Sequence, residues 1–209
     1  LQDILIRWHR MRGHDTLWCS WEESAAQLAE RPKPDAMVVI EMIFHMASLH
    51  QNRTGFLDAK LARFFAWAHA GLAEDGRLFL QTLNIAPEFL TDPAHRPMFE
   101  RIYHELPWLG FSTREQILRQ AAPFFEVVSA EDHSSDLVPT YRFWRANVEA
   151  HRPALEEMIA PGIFAYLVKE LDQFIELAET GALGLNRICL RRRAAPPPDR
   201  PGSESTVLI

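Results

Sequence analysis

The stretch that most constrains the fold is a short apolar run between a turn and two polar side chains. Residues 32–35 hold two prolines and an aspartate, and residues 37–40 are apolar and rich in β-branched side chains. Such a run suits a strand that is buried on both faces, as in a parallel sheet. Glu41 and then His45 follow, and polar groups just past such a strand lie where open α/β sheets bind ligands. We therefore expect this strand end to form the floor of an active site.

A long helical pattern and a second strand come next. Apolar residues recur at helical spacing through 52–72, a turn follows at 74–76, and a strand is predicted at 77–83. This order predicts a parallel strand pair with a right-handed crossover, and thus an α/β fold. The later patterns predict, in order, a helix at 112–121, a strand at 124–129, helices at 141–150 and 153–178, and a strand at 185–190.

The segment 85–111 is irregular and rich in proline and aromatic residues. We interpret it as a lid of short helices over the strand ends. Its aromatic side chains could line an apolar acceptor pocket or form the core of the lid itself. Directly after it, Ser112 and Glu115 have the spacing of a capping box at the start of the next helix.

Composition and charge limit the classes of function. The chain has 209 residues and a formal net charge of −6, which argues against a general nucleic-acid binder, because such a protein presents a basic face. Cys19 and Cys189 make no disulfide framework, and no zinc-ligand spacing is present, so we expect a reducing, cytoplasmic setting and no metal. No apolar run approaches the roughly 18 residues that span a bilayer, so we expect no more than transient membrane contact.

The two ends of the chain differ from the rest. Residues 1–18 have apolar side chains at helical spacing and predict an amphipathic helix. This segment also resembles a stretch of valyl-tRNA synthetases, and the likeness covers about 18 residues and ends at Trp18. Residues 195–209 are rich in Pro, Gly and Ser, which predicts a disordered tail.

Three motifs carry a second resemblance. They are Trp21-Glu22, the strand end Ile40-Glu41-Met42-Ile43-Phe44-His45-Met46, and Asp75-Gly76-Arg77-Leu78-Phe79-Leu80-Gln81-Thr82. With the order of elements over 16–194, they resemble the C-terminal two-thirds of class I S-adenosylmethionine-dependent methyltransferases, closest to the cyclopropane-fatty-acyl-phospholipid and mycolic acid cyclopropane synthases. The resemblance implies a partial methyltransferase domain at 19–194. It also implies an incomplete Rossmann-like sheet, a helical lid, a helical insertion before the last strand, and S-adenosyl-L-methionine as cofactor.

The same resemblance implies a cofactor site. Trp21 and Glu22 match the pair that lies beside the adenine in this family, and Ile40 matches an apolar residue that touches the cofactor. An indole can pack on a purine and a neighbouring acid can accept hydrogen bonds. From the residues alone, Trp21 is equally a core residue and Glu22 a first-turn acid that the helix dipole favours.

The departures from the family bear on the reaction. Phe44, Gln81 and Leu137 stand where the cyclopropane synthases have polar residues that help to hold a bicarbonate ion. That ion takes up the proton lost as the ring closes, so its loss disfavours cyclopropane formation. Methyl transfer mainly needs the donor and the nucleophile to be held in line, and it therefore remains possible.

The polar residues that remain at the strand ends are the catalytic candidates. Glu41 could orient or deprotonate an acceptor, His45 could act as a base near neutral pH, and Gln81 lies at the end of the second strand. Glu41 could instead cap a helix, and His45 could be packed against a backbone group. The candidates for contact with a lipid or small-molecule acceptor are Phe44, Tyr103, Trp108, Leu137 and Tyr141.

One expected part of the cofactor site is missing from the sequence. The methyltransferases have a Gly-x-Gly-x-Gly loop whose backbone approaches the methionine part of the cofactor. The only glycine before Trp21 is Gly13, so we expect a truncated methyltransferase that binds the cofactor weakly. A non-catalytic α/β remnant or interaction module is the second hypothesis, and a synthetase fragment is the third. The oligomeric state stays open.

Overall fold

Four strands form one mixed sheet in the computed structural model, which describes residues 20–29, 31–48, 51, 54–105, 110, 112–160 and 162–194. The strands are β1 (Ala36–Ile40), β2 (Arg77–Ile85), β3 (Phe125–Asp132) and β4 (Leu183–Arg192). Their order is β1-β2-β4-β3, with β1 parallel to β2 and β4 antiparallel to both of its neighbours. The predicted parallel pair is therefore confirmed.

Eight α-helices accompany the sheet in the described part of the chain. They are α1 (Trp21–Ala29), α2 (Phe56–Gly71), α3 (Pro87–Thr91), α4 (Arg96–Glu105), α5 (Arg114–Ala121), α6 (Leu137–Ala150), α7 (Arg152–Met158) and α8 (Ile163–Glu179). Short 3-10 turns lie at Ile43–His45, Pro93–His95 and Ser134–Asp136. No helix among these is long and apolar enough to cross a bilayer.

One face of the sheet is well covered. Leu57, Leu61, Phe64 and Phe65 recur along one side of α2 and are fully buried, as a helix with an apolar stripe requires. They pack in one cluster with Leu78, Leu80, Ile188 and Leu190 of the sheet and with Ile117 of α5. The long β1–α2–β2 unit thus builds the larger core.

The opposite face is covered only toward the carboxyl ends of β1 and β2. There α3, α6 and α8 form a second core with the strands, which includes Leu83, Ile85, Leu183 and Leu185. Farther down this face Val38 is 65% exposed and Phe79 36% exposed. The sheet therefore passes from covered to open along its length.

The first strand corrects the sequence prediction. Residues 37–40 were expected to be buried on both faces, yet β1 is an edge strand, and Val38 and Ile40 are exposed to 65% and 61%. The apolar run favours a strand, but its side chains are buried on both faces only where a second neighbouring strand and a helix on the second face cover them. Among the described residues, neither covers β1 on that side.

Two helix boundaries also differ. The predicted helix at 153–178 is divided into α7 and α8, and Gly162 has a φ of 87° at the start of α8, a conformation that favours glycine. The predicted capping box is wrong by one position, because Thr113 is the cap and accepts from the backbone N–H of Gln116 at 3.1 Å. The predicted segments 1–18 and 195–209 lie outside the described residues.

Candidate functional site

A cavity of about 840 Å³ lies between the carboxyl ends of β1 and β2 and the helices α6 and α8. Its walls combine strand residues with one side of each helix. The residues that line it are Ile40, Glu41, Phe44, His45, Gln81, Leu83, Asp136, Leu137, Pro139, Thr140, Tyr141, Trp144, Leu167, Glu170, Leu171, Phe174, Leu185 and Arg187. Seven of these side chains were candidates from the sequence, so the fold brings distant predictions together at one strand-end cavity.

Glu41 is held at the point where β1 ends. Its φ is 56°, a left-handed value that is uncommon outside glycine. Its backbone N–H donates to the carbonyl of Gln81 at 2.8 Å, and its Oε2 accepts from the backbone N–H of Leu83 at 3.0 Å. The side chain thus continues the hydrogen bonding of the β1–β2 pair beyond the last residue of β1. Burial raises the pKa of Glu41, against the hydrogen bonds from Leu83 and Gln81, which lower it.

Gln81 lies between Glu41 and Arg187, the one guanidinium among the described residues that line the cavity. The Nε of Arg187 donates to the Oε1 of Gln81 at 3.0 Å, and the side chain of Gln81 is one of the groups that lower the pKa of Glu41. Gln81 and Arg187 are directly paired across β2 and β4. The amide therefore relays the guanidinium's charge toward Glu41, and Gln81 acts as a positioning group in this arrangement.

Phe44 and His45 come from the 3-10 turn that follows β1. Phe44 is 2% exposed, and its ring lies 5.5 Å from the imidazole of His45 and 6.4 Å from the ring of Phe174. The His45 side chain keeps one side open to solvent, and the burial of the other side lowers its pKa. A neutral imidazole at the cavity edge can accept a proton.

An aromatic wall closes the cavity on the helix side. Tyr141 stacks on Phe174 with ring centroids 5.3 Å apart and an interplanar angle of 15°, and it meets Trp144 edge-on at 5.6 Å. Tyr141 is only 6% exposed. Burial, and then the charges of Glu41 and Glu170, raise its pKa well above the ordinary value. Both carboxyl groups therefore lie near the same phenol.

Sequence reasoning missed Glu170 and Arg187. Glu170 lies on α8 between Leu167 and Leu171, and burial raises its pKa. The helical spacing of Leu167, Leu171 and Phe174 was a usable signal for an apolar face. That signal does not say where on the sheet the face packs, and so it does not place Glu170 at the cavity.

The structure separates two of the predicted cofactor residues from the cavity. The indole of Trp21 packs edge-on against Phe64 and tilted against Trp67, each with centroids 5.7 Å apart. Glu22 forms an ion pair with Lys60 at 3.7 Å. Neither residue lines the cavity, whereas Ile40 does.

The predicted lid is described only in part, so its place at the cavity stays a prediction. Phe89 of α3 is 3% exposed and belongs to the second core. Tyr103 falls within α4, where its side chain is not described, and Trp108 lies outside the described residues. Leu137 and Tyr141 of the insertion α6–α8, which were also candidates, do line the cavity, because those helices pack over the strand ends.

The chemistry open to this site follows from its lining. An apolar cavity with a few converging polar groups is typical of a small-molecule site. Glu41 and His45 can orient an acceptor or take its proton, while the leucine and aromatic side chains exclude water around it.

The chain is similar in structure to two solved cyclopropane synthases. The cyclopropane synthase MmaA2 of Mycobacterium tuberculosis superposes with a TM-score of 0.69 and 20% identity, covering 88% of this chain and 64% of that one. The mycolic acid cyclopropane synthase CmaA1, complexed with SAH and CTAB, has a TM-score of 0.65 and 18% identity, with coverages of 84% and 59%. The chain thus spans about three-fifths of each of these proteins.

A curated relative points in another direction. The valine–tRNA ligase of Cereibacter sphaeroides is 26% identical over 152 residues, which cover 69% of this chain and 14% of that protein. The likeness to such ligases therefore extends well beyond the 18 residues that the sequence indicated. No protein-family model matches the chain.

The structural neighbours agree with the observed sheet and helices, although their sequences are far from this one. At identities of 20% or less, their likeness concerns the fold. The chain has the Rossmann-like fold of class I methyltransferases, as seen in the mycolic acid cyclopropane synthases.

Proposed function

We propose that this chain carries the acceptor site of an S-adenosyl-L-methionine-dependent methyltransferase that methylates a lipid or another apolar small molecule. The observation that supports this most is the 840 Å³ cavity at the carboxyl ends of β1 and β2, where open α/β sheets bind their ligands. Its leucine and aromatic walls favour an apolar acceptor, and Glu41 and His45 can position the attacking atom and accept its proton.

The described residues fit the cofactor in part. S-adenosyl-L-methionine, when bound, supplies a methyl group on a sulfonium. Ile40 ends the edge strand β1 beside the cavity with a 61% exposed side chain, which offers apolar surface to a ligand. No glycine-rich loop lies beside β1 among the described residues. The SAH in the CmaA1 complex supports this choice of cofactor.

Transfer of an intact methyl group is the favoured reaction. Phe44, Gln81 and Leu137, which depart from the cyclopropane synthases, all line the cavity. Phe44 and Leu137 have no group that could bind an anion, and Gln81 is hydrogen-bonded to Arg187. These three positions therefore do not supply the ligands of a bicarbonate ion that would take up the proton lost on ring closure.

Calorimetry and a deuterium count test the proposal. Titration with S-adenosylhomocysteine measures whether the protein binds the cofactor. The protein is then incubated with a donor that carries a trideuteromethyl group and with lipid and amine extracts. Methyl transfer leaves three deuterium atoms on the product, whereas ring closure leaves two. Binding without any labelled product would contradict methyl transfer, and a product with two deuterium atoms would contradict the reaction type.

A non-catalytic α/β module is the second candidate. The exposed apolar side chains of the edge strand β1 favour it, since such an edge can add a strand from another polypeptide. Absence of both cofactor binding and methyl transfer would support it. Valine-dependent pyrophosphate exchange tests the ligase likeness, and we expect none.

A further inference from the structure

Acidic side chains outnumber basic ones among the described residues that line the cavity. Three carboxyl groups line it, those of Glu41, Asp136 and Glu170, against one guanidinium, that of Arg187. Asp136 lies 3.2 Å from His133 on the outer side, and Arg187 donates to Gln81. Among the described residues no ion pair includes Glu170, and burial is the cause of its raised pKa. A cationic ligand beside it would favour its charged form, which burial disfavours.

The phenol of Tyr141 is the second independent feature. The residue is 6% exposed and lines the cavity. Its hydroxyl is not one of the fully buried polar atoms that lack a partner among the described residues, so it is open to a ligand in the cavity. Glu41, Tyr141 and Glu170 all line the same cavity, and the charges of the two carboxyl groups contribute to the raised pKa of the phenol.

The rings around this point suit the same type of ligand. Tyr141, Phe174 and Trp144 form a continuous aromatic wall, and aromatic faces attract organic cations. An ammonium group offers a positive charge and hydrogen-bond donors, which carboxylates can accept and which the phenol oxygen can also accept. A neutral head group would leave the charge of Glu170 uncompensated, and an anionic one would repel it.

We propose that the acceptor bound in this cavity is an amine cation with an apolar body, whose nitrogen lies between Glu170, Glu41 and the Tyr141 hydroxyl. The apolar body lies along Leu83, Leu137 and Leu171. This inference rests on the proposed acceptor role of the cavity and narrows its chemistry. Before it can act as a nucleophile, the ammonium must give up a proton, and the carboxylate of Glu170 can accept it.

Binding of three ligands of equal chain length tests the proposal without the cofactor. Octylamine, octanol and octanoate are titrated calorimetrically below their aggregation concentrations. A charge-assisted hydrogen bond is worth enough to make octylamine bind about tenfold more tightly than octanol. Octanoate is expected to bind most weakly. Equal binding of amine and alcohol, tighter binding of octanoate, or no binding of octylamine would each overturn the proposal.

A matched pair of variants assigns the effect to Glu170. Glu170→Gln keeps the shape and removes the charge, so octylamine binding should fall about tenfold while octanol binding stays within about twofold. Glu157→Gln makes the same change on the exposed surface of α7 and should change neither. A uniform loss for all three ligands in Glu170→Gln would contradict the assignment. If that variant does not fold, the ligand ranking of the unmodified protein decides.

The outcome is separable from that of the proposed function. A preference for octylamine with no methyl transfer to any acceptor would refute the enzyme and keep the amine site. Methyl transfer to lipids with no preference for octylamine would support the enzyme and refute the amine site.

Discussion

The backbone strain at Glu41 gives a prediction with a defined order of stabilities. Two features of Glu41 affect stability in opposite directions. Its left-handed φ of 56° is unfavourable, and the hydrogen bond from the backbone N–H of Leu83 to its Oε2 at 3.0 Å is favourable. Replacement by Gln, Ala and Gly separates them. Gln retains an acceptor oxygen, Ala loses the acceptor but keeps the strain, and Gly loses both the acceptor and the strain.

The magnitudes follow from these geometries. Loss of the acceptor leaves the N–H of Leu83 without a partner, so Ala should be less stable than Gln by about 1–2 kcal/mol. A side chain in the left-handed region costs roughly 1–2 kcal/mol, and the flexibility of Gly in the unfolded chain returns about 0.5–1 kcal/mol of that. Gly should therefore be more stable than Ala by about 0.5–1 kcal/mol. The unfolding free energy is therefore expected to be highest for the Gln variant, intermediate for Gly and lowest for Ala.

Urea denaturation followed by circular dichroism measures this order, with unchanged m-values as the condition for comparing midpoints. Asp75 provides the control, because its φ of 59° is similar and it lies in an exposed turn. The unfolding free energy of Asp75→Gly should likewise exceed that of Asp75→Ala by about 0.5–1 kcal/mol. The reasoning fails if Glu41→Ala is as stable as Glu41→Gly while the difference appears at Asp75.

Three further predictions concern single positions. Burial raises the pKa of Glu41, so the protonated side chain favours the folded state in acid, and this contribution to stability is lost as the pH rises through the raised pKa. In urea titrations the unfolding free energy of Glu41→Gln should equal that of the unmodified protein in acid and exceed it at neutral pH. Thr113→Ala removes a helix cap and should cost about 1 kcal/mol, whereas Ser112→Ala should cost less than about 0.5 kcal/mol, because the buried Ser112 Oγ has no partner among the described residues; equal losses in thermal unfolding would contradict this. Phe174→Ala removes the ring stacked on Tyr141 and should lower the unfolding free energy by about 3 kcal/mol, and a loss below about 1 kcal/mol would show that the wall is loosely packed.

The sequence predicts elements well where one short pattern decides them. The apolar period of α2 and the turn before β2 are local, and both appear where expected. The exposure of Val38 and Ile40 is not local. An apolar run shows that a strand forms, but its burial depends on which elements pack on each side.

The same distinction applies to the site residues. Glu41 and His45 follow the end of β1, and Gln81 lies in the middle of β2. All three could be proposed from position alone, and all three line the cavity. Glu170 required knowledge of how α8 packs. Trp21 shows the opposite case, because an indole that stacks on a ligand and one that packs on Phe64 give the same sequence pattern.

The sheet register explains why the polar groups lie where they do. Ile40, Gln81 and Arg187 form one row of paired residues across β1, β2 and β4. The next row toward the helices pairs Leu83 with Leu185 and belongs to the second core.

The row on the other side, which contains Val38 and Phe79, is open. Gln81 and Arg187 therefore lie at the boundary between a packed and an uncovered part of one sheet face. Strand alternation assigns these residues to that face, but only the position of α6 and α8 makes their row a boundary. A polar pair at such a boundary is half-buried, so its hydrogen bond strengthens while solvent still reaches the cavity.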